Sequence, residues 1–301
     1  MVDGVRVVSV RCRGIVLLCL LQLAGCSITQ SGKGFDLVDD NKYEEALPYF
    51  ETAANEDGSK SSAVMASFLY LSDYQIPRDI EKAKEYYQLS QSLEHGRWDQ
   101  YLDYFMPLAN AKILLYDDDP GNDEEGTDIL RGDRYSEYSP ALGLLAKSYA
   151  FGKGVDKNIG ISKALFERSV DYDSEVYSAH HYSWFLAVHP DAEFRDGARA
   201  LELIQEVMED DEESKQATTL DTLAAVLAEN GRFDEAVETQ KNAIDRLIED
   251  SKDYPKFLVW KSWLECRLKT YEKNLPWHYE SNQTPFVGSA GSQPCVWKES
   301  P

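Results

Sequence analysis

Four short stretches hold residues whose types and spacing could do chemistry. Residues 149–158, YAFGKGVDKN, place Gly152, Lys153 and Gly154 between an aromatic residue and a helical-looking segment. A phosphate-binding loop of the Walker type needs Gly-Lys-Ser/Thr after a strand, yet Gly154 follows Lys153 and the preceding residues have helical spacing. A dinucleotide loop needs a third glycine where Lys157 stands. Asp117, Asp119 and Asp128 fall at positions 1, 3 and 12 of an EF-hand-like loop. Its fifth and sixth positions are Gly121 and Asn122, where calcium coordination wants an oxygen ligand and a glycine. His180-His181 is the one histidine pair, and adjacent helical residues are expected on different sides of a helix. Gly288-Ser289-Ala290-Gly291 lacks the GxSxG spacing of a nucleophile elbow. HExxH and CxxC are absent from the sequence, and a chain with 53 Asp and Glu contains carboxylate pairs by chance. The residues therefore assign no catalytic, metal-binding or cofactor-binding group, and no enzymatic activity is expected.

Chemistry of another kind is written at the N-terminus. Arg6, Arg11 and Arg13 precede the apolar run IVLLCLLQLAG from Ile15, which has the size of a signal-peptide core. It ends in Leu23-Ala24-Gly25-Cys26-Ser27. This resembles the bacterial lipobox, which implies cleavage between Gly25 and Cys26 and acylation of Cys26. A single acyl chain binds membranes only marginally, at about 10⁴ M⁻¹, whereas two or more anchor stably. Lipoproteins of this type carry three, and Ser after the cysteine implies sorting to the outer membrane, facing the periplasm. Of the five cysteines, Cys266 and Cys295 are left for the folded part; in an oxidising compartment they could pair, or both could stay free.

The elements that carry the rest repeat. Ala46, Tyr49, Phe50, Ala53 and Ala54 lie at helical 3–4 spacing, and Ala83, Tyr86, Tyr87 and Ser90 continue the pattern 37 residues later. Ser162, Leu165, Phe166, Ser169 and Val170 take the same places. Small residues let two helices of a hairpin approach, and the aromatic pair fills the seam to the next hairpin. Tyr149, Gly152, Gly154, Val155, Asn158 and Ser162 fall at the same offsets as Tyr70, Asp73, Gln75, Ile76, Asp79 and Ala83. The stretch 149–158 is therefore predicted to be a turn between helices. This resembles the Sel1-like repeat, a helix–turn–helix unit related to the tetratricopeptide repeat. The resemblance implies left-handed glycines ending the first helix and an Asp or Asn capping the second. Asp73 and Gln75 replace both glycines in the first unit, so that turn must be built differently.

Residues 98–135 look like a degenerate copy, with an apolar helix ending at Tyr116 and an acidic insertion after it. Leu223, Ala224, Gly231, Phe233, Ala236 and Ala243, within 219–247, are similar to a tetratricopeptide repeat, and Trp184 to Ala200 looks like its partner. Residues 254–279 read as a final amphipathic helix that covers the last apolar face. The expected organisation is a signal peptide at 1–25, a tether at 26–41, Sel1-like repeats at 42–175, tetratricopeptide-like repeats with a capping helix at 176–280, and a Gly/Ser/Pro-rich tail at 281–301.

The fold expected is all-α, a right-handed solenoid of about six helical hairpins. The net charge of −22 argues against a nucleic-acid partner. What the resemblance implies is a membrane-anchored scaffold in the bacterial envelope, binding another envelope protein through its concave face. A cell-wall ligand binder or a Sel1-type enzyme is the alternative, although family members linked to wall ligands staple each repeat with a disulfide and 27–265 lacks cysteine. Tyr70, Tyr149 and Trp184 are either groove contacts or seam packing. Trp260, Trp263 and Trp277 are the candidates for an exposed anchor, since aromatic residues dominate interface energies.

Overall fold

The computed structural model describes residues 29–280, apart from 41, 73–75, 77, 95–101, 118, 174–175, 211–212, 251 and 253–259. The signal segment with Gly25 and Cys26, the tail with Cys295, and the turn residues Asp73 and Gln75 lie outside the described residues.

Thirteen α-helices and no strand are found among the described residues. They are α1 (Gln30–Asp39), α2 (Tyr43–Asn55), α3 (Lys60–Ser72), α4 (Ile80–Ser92), α5 (Leu102–Tyr116), α6 (Asp123–Leu130) and α7 (Ser139–Phe151). After these come α8 (Ile159–Asp171), α9 (Tyr177–Val188), α10 (Gly197–Met208), α11 (Ala217–Glu229), α12 (Phe233–Asp250) and α13 (Lys261–Tyr271). Each odd-numbered helix up to α11 packs on the helix that follows it. The odd helices also touch along the chain, α3 with α5, α7 with α9 and α9 with α11. Packing between sequence neighbours, element after element, is what a helical repeat array produces.

The turn at 149–158 shows why. Gly152 ends α7 at φ 71°, in the left-handed region. The Lys153 amide then donates back to the Ser148 carbonyl at 2.9 Å, the six-to-one bond of a Schellman end. Gly154, at φ 68°, comes so close to its neighbour that an added Cβ would sit 2.0 Å from the Asp123 carbonyl oxygen. The Asn158 amide donates to the Tyr149 carbonyl at 2.9 Å, and the Asn158 side chain accepts from the Ile161 amide at 2.9 Å, capping α8.

The same bonds recur two hairpins earlier: Asp79 donates through its amide to the Tyr70 carbonyl at 3.0 Å and caps α4 through the Lys82 amide at 2.9 Å. In one unit the Ser67 hydroxyl donates to the Ala83 carbonyl at 2.9 Å; in the other, Ser162 donates to the Ala146 carbonyl at 2.7 Å. These are the same two repeat positions with serine and alanine exchanged. The hairpin needs one hydroxyl across the close helix contact, and either side can supply it.

Two segments depart from the sequence expectation. The tether contains α1, whose Phe35 meets Phe50 edge-on at 5.0 Å and whose Val38 is buried against α2. Its polar composition hid one short apolar face. The final helix stops at Tyr271: Asn274 takes φ 57°, the Leu275 amide reaches back to the Thr270 carbonyl at 3.3 Å, and Pro276 cannot extend the helix. Residues after it run back over α9, where the Tyr279 amide donates to the Val188 carbonyl at 2.9 Å.

A candidate binding face on the odd helices

The acids are not spread evenly. Among α3, α5, α7, α9 and α11 the sequence holds only Asp103, Asp221 and Glu229, whereas every even helix from α2 to α12 carries at least two acids. Of the two layers formed by α2–α12, the even helices are therefore the acidic one. The other layer keeps Lys112 as the lone cation of α5, Lys147 as the only charged residue of α7, and the imidazoles of His180 and His181 on α9.

These groups form a row. Arg78, in the turn after α3, lays its guanidinium over the Tyr116 ring of α5 at 3.9 Å. Lys112 Nζ stands over Phe68 of α3 at 5.6 Å, and Lys147 Nζ over Phe185 of α9 at 5.4 Å. The rings of His180 and His181 lie face to face with centroids 5.7 Å apart, and Tyr177 meets His181 edge-on at 4.3 Å. Successive helical residues are turned by about 100° rather than 180°, so the histidine pair shares one wall instead of dividing between two sides. His180 Nε2 lies 2.9 Å from Thr222 Oγ1, whose own proton goes to the Thr218 carbonyl at 3.0 Å, making the imidazole the donor.

Both lysines are half-buried, and neither has a carboxylate partner among the described residues; their neighbours are aromatic rings and other cations. Burial pulls Lys112 down to about 8, with the Arg78 charge adding to it. Burial pulls Lys147 down to about 7, helped by Lys112 and then Arg78. His181 is held well below its usual value by burial, then by Lys147, His180 and Lys112. Burial also lowers His180, to about 4. The neighbours felt at each position run in the order Arg78, Lys112, Lys147, His181, along the helix array. Tyr177 is 39% exposed, yet burial is the first cause that pushes its phenol upward, ahead of Tyr116 and Asp173. Water reaches the group while protein surrounds it. A cation in such surroundings is desolvated enough to be costly and open enough to meet a ligand.

A second cation–aromatic cluster lies nearby and is built differently. Arg267 of α13 is buried and donates from Nε and Nη2 to the two oxygens of Asp221 on α11, at 2.8 and 2.7 Å. Gln240 Nε2 adds a third bond to Asp221 at 2.7 Å. The guanidinium sits beside the paired rings of Trp184 and Trp277, at 5.3 and 5.4 Å, and Trp184 Nε1 donates to the Tyr279 hydroxyl at 3.4 Å.

That arrangement places the sequence-derived candidates. Trp184 and Trp277 are half-buried and seal the C-terminal end together. Trp260 packs on Leu264 and Leu247, and Trp263 is half-buried on α13. Tyr70 stacks on Tyr86 at 5.9 Å and donates its hydroxyl to Glu51 at 2.7 Å, so it fills a seam. Tyr149 accepts from Arg131 at 3.1 Å. In the acidic insertion, Asp117 accepts from the Asp119 amide and Asp119 from the Gly121 amide. Asp128 sits on α6 paired with Arg131 at 2.8 Å, so the three acids do not converge; no metal-holding group of acids, histidines and cysteines occurs among the described residues.

Reasoning along the sequence missed Lys112 and Lys147. The available signal was one lysine inside each of two otherwise apolar helices, at positions where a solvated face would carry several charges. No protein-family model matches the chain, and no curated protein matches it.

Proposed function

We propose that the chain is a bacterial envelope lipoprotein that works as a scaffold. Processing at Gly25–Cys26 and acylation of Cys26 hold it on the periplasmic side of the outer membrane. Its helices form a right-handed Sel1- and tetratricopeptide-like solenoid of about six hairpins, capped by α13. The odd helices then face a concave groove that takes hold of another envelope protein.

The observation that carries this reading is the layered array itself, with one helix layer acid-rich and the other holding Lys112 and Lys147 half-open to water over buried aromatic rings. Cys266 is disulfide-bonded, which suits an oxidising compartment. No helix among the described residues is long and apolar enough to cross a membrane, and an acyl anchor needs none.

Two measurements test the proposal. The intact mass of the mature protein should correspond to a chain starting at an acylated Cys26; an unmodified N-terminus removes the anchor. Reversible crosslinking in cells, detergent extraction and mass spectrometry should return one near-stoichiometric envelope protein. If only peptidoglycan fragments come through, the groove is a wall-ligand site instead.

A further inference from the structure

The row from Arg78 to His181 has a chemistry more specific than protein binding in general. We propose that it is a binding site for an acidic, extended peptide segment of the partner, with side-chain carboxylates meeting Lys112 and Lys147 and an apolar group lying on Tyr177, the ring of the row that is open to solvent. This inference rests on the scaffold reading and deepens it.

Three observations carry it. First, charge complementarity is local: the cations stand in the acid-poor layer of a chain with net charge −22, so an anion is repelled almost everywhere else. Second, the cations come from the α3–α4 turn, α5 and α7, successive elements of the array. A row suits an extended ligand; a small anion would need donors converging on one point. Third, two of the three are lysines, compact point charges, with no backbone-amide nest or paired guanidinium forks of the kind that selects phosphate. The buried rings of Tyr116, Phe68 and Phe185 back the three cations from within the fold.

The site also predicts a proton. A lysine lowered by burial regains its charge when a carboxylate arrives, so binding takes up protons. The window lies between about 7, for Lys147, and about 8, for Lys112. The other groups facing these lysines do not titrate there in a way that would mimic the effect. His180 and His181 are held neutral by burial, and Tyr177 is pushed upward. Of the nearby acids, Asp173 accepts from the Ser178 amide at 2.6 Å and Asp221 is paired with Arg267.

The test uses the detergent-purified full chain and fluorescein-labelled hexaglutamate, read by fluorescence anisotropy, with hexaglutamine as the neutral control. The expected result is binding of hexaglutamate only, tightening as pH falls from about 8.5 to about 6.5 while the peptide's carboxylates stay ionised. Lys112→Met and Lys147→Met should each weaken it by about tenfold or more, Lys147→Arg should retain it with only the Lys112 part of the pH dependence left, and Lys163→Met on α8 should leave it unchanged. Equal binding by wild type and both Met variants overturns the site, as does binding of anionic phosphatidylglycerol vesicles with no binding of the peptide.

Capture of the envelope partner in cells is scored separately. If hexaglutamate binds as expected but no protein is captured, the scaffold reading fails and the acidic-peptide site stands. If a partner is captured equally by wild type and Lys147→Met, and the peptide does not bind, the scaffold stands and this site falls.

Discussion

Arg267 and Lys147 are both cations set against aromatic rings in the same array, and they differ in what completes them. Arg267 has Asp221 in a two-bond fork, Gln240 behind the carboxylate, and a pair of indoles alongside. Every charge there is answered inside the chain. Lys147 has the face of Phe185 and the repulsion of Lys112. A cation–π contact contributes on the order of 1 kcal/mol, too little to offset desolvation of an ammonium by itself. One cluster is closed and holds α13 and residues 275–280 onto α9 and α11. The other is left open, at a standing cost to the fold, where a ligand can complete it. Aromatic-plus-cation composition does not separate a structural knot from a binding face; the presence or absence of the carboxylate does.

The largest expected effect follows from opening the closed cluster. Asp221→Ala strands a buried guanidinium, which costs about 3–5 kcal/mol. Because a repeat array is stabilised by neighbours, the damage should be regional. Amide hydrogen exchange should accelerate in α11, α12 and α13 and stay near wild type in α3 and α4. Uniform acceleration along the chain would mean that the cluster serves the whole fold and that the two ends are not separable.

A smaller effect sharpens the same contrast. Adding Arg267→Met to Asp221→Ala should recover part of the loss, because no charge then remains buried and the methionine keeps contact with Trp184 and Trp277. A recovery of about 1–3 kcal/mol in denaturant unfolding fits a penalty that comes mainly from the orphaned charge. No recovery would assign the stability to the fork geometry and the lost packing instead.

The features set by local sequence were the more legible ones. The turn at 149–158 could be read because its demands are local: a left-handed glycine at Gly152, a cap at Asn158 and a small residue at Ser162 are each set by a few residues of backbone. Their recurrence at Tyr70, Asp79 and Ala83 made the pattern visible at two places in the chain. Helix α1 was hidden because Gly34 and Val38 give it only a narrow apolar edge, meaningful once Phe50 stands opposite. The end of the last helix depended on Asn274 adopting a left-handed φ, which asparagine tolerates without requiring. The open row was the least legible of all. Lys112, Lys147 and His181 are far apart along the chain, and only the folding of α5 and α7 around one core, with α9 packed on α7, turns single cations into a common site. The Asp221–Arg267 fork escaped for the same reason, since both residues lie within periodic patterns that suggest ordinary helix surface.

The smallest effect bears on the open cluster and has a sign opposite to the first. Lys147→Met removes a desolvated ammonium and keeps an apolar chain against Phe185, so the variant should be more stable than wild type at neutral pH, on the order of 1 kcal/mol once solvent screening is allowed for. The sign follows from proton binding. In the folded chain Lys147 titrates near 7, below its ordinary value of 10.5. Between those values the unfolded chain holds a proton that the folded chain has released, so wild-type stability rises with pH across that window and is lowest below about pH 7. Lys147→Met lacks that rise. Denaturant midpoints for the two proteins should therefore lie furthest apart below about pH 7 and converge as pH approaches 10. A variant less stable than wild type at pH 7 would mean that Lys147 is completed within the chain after all, and the distinction between the open and closed clusters would collapse.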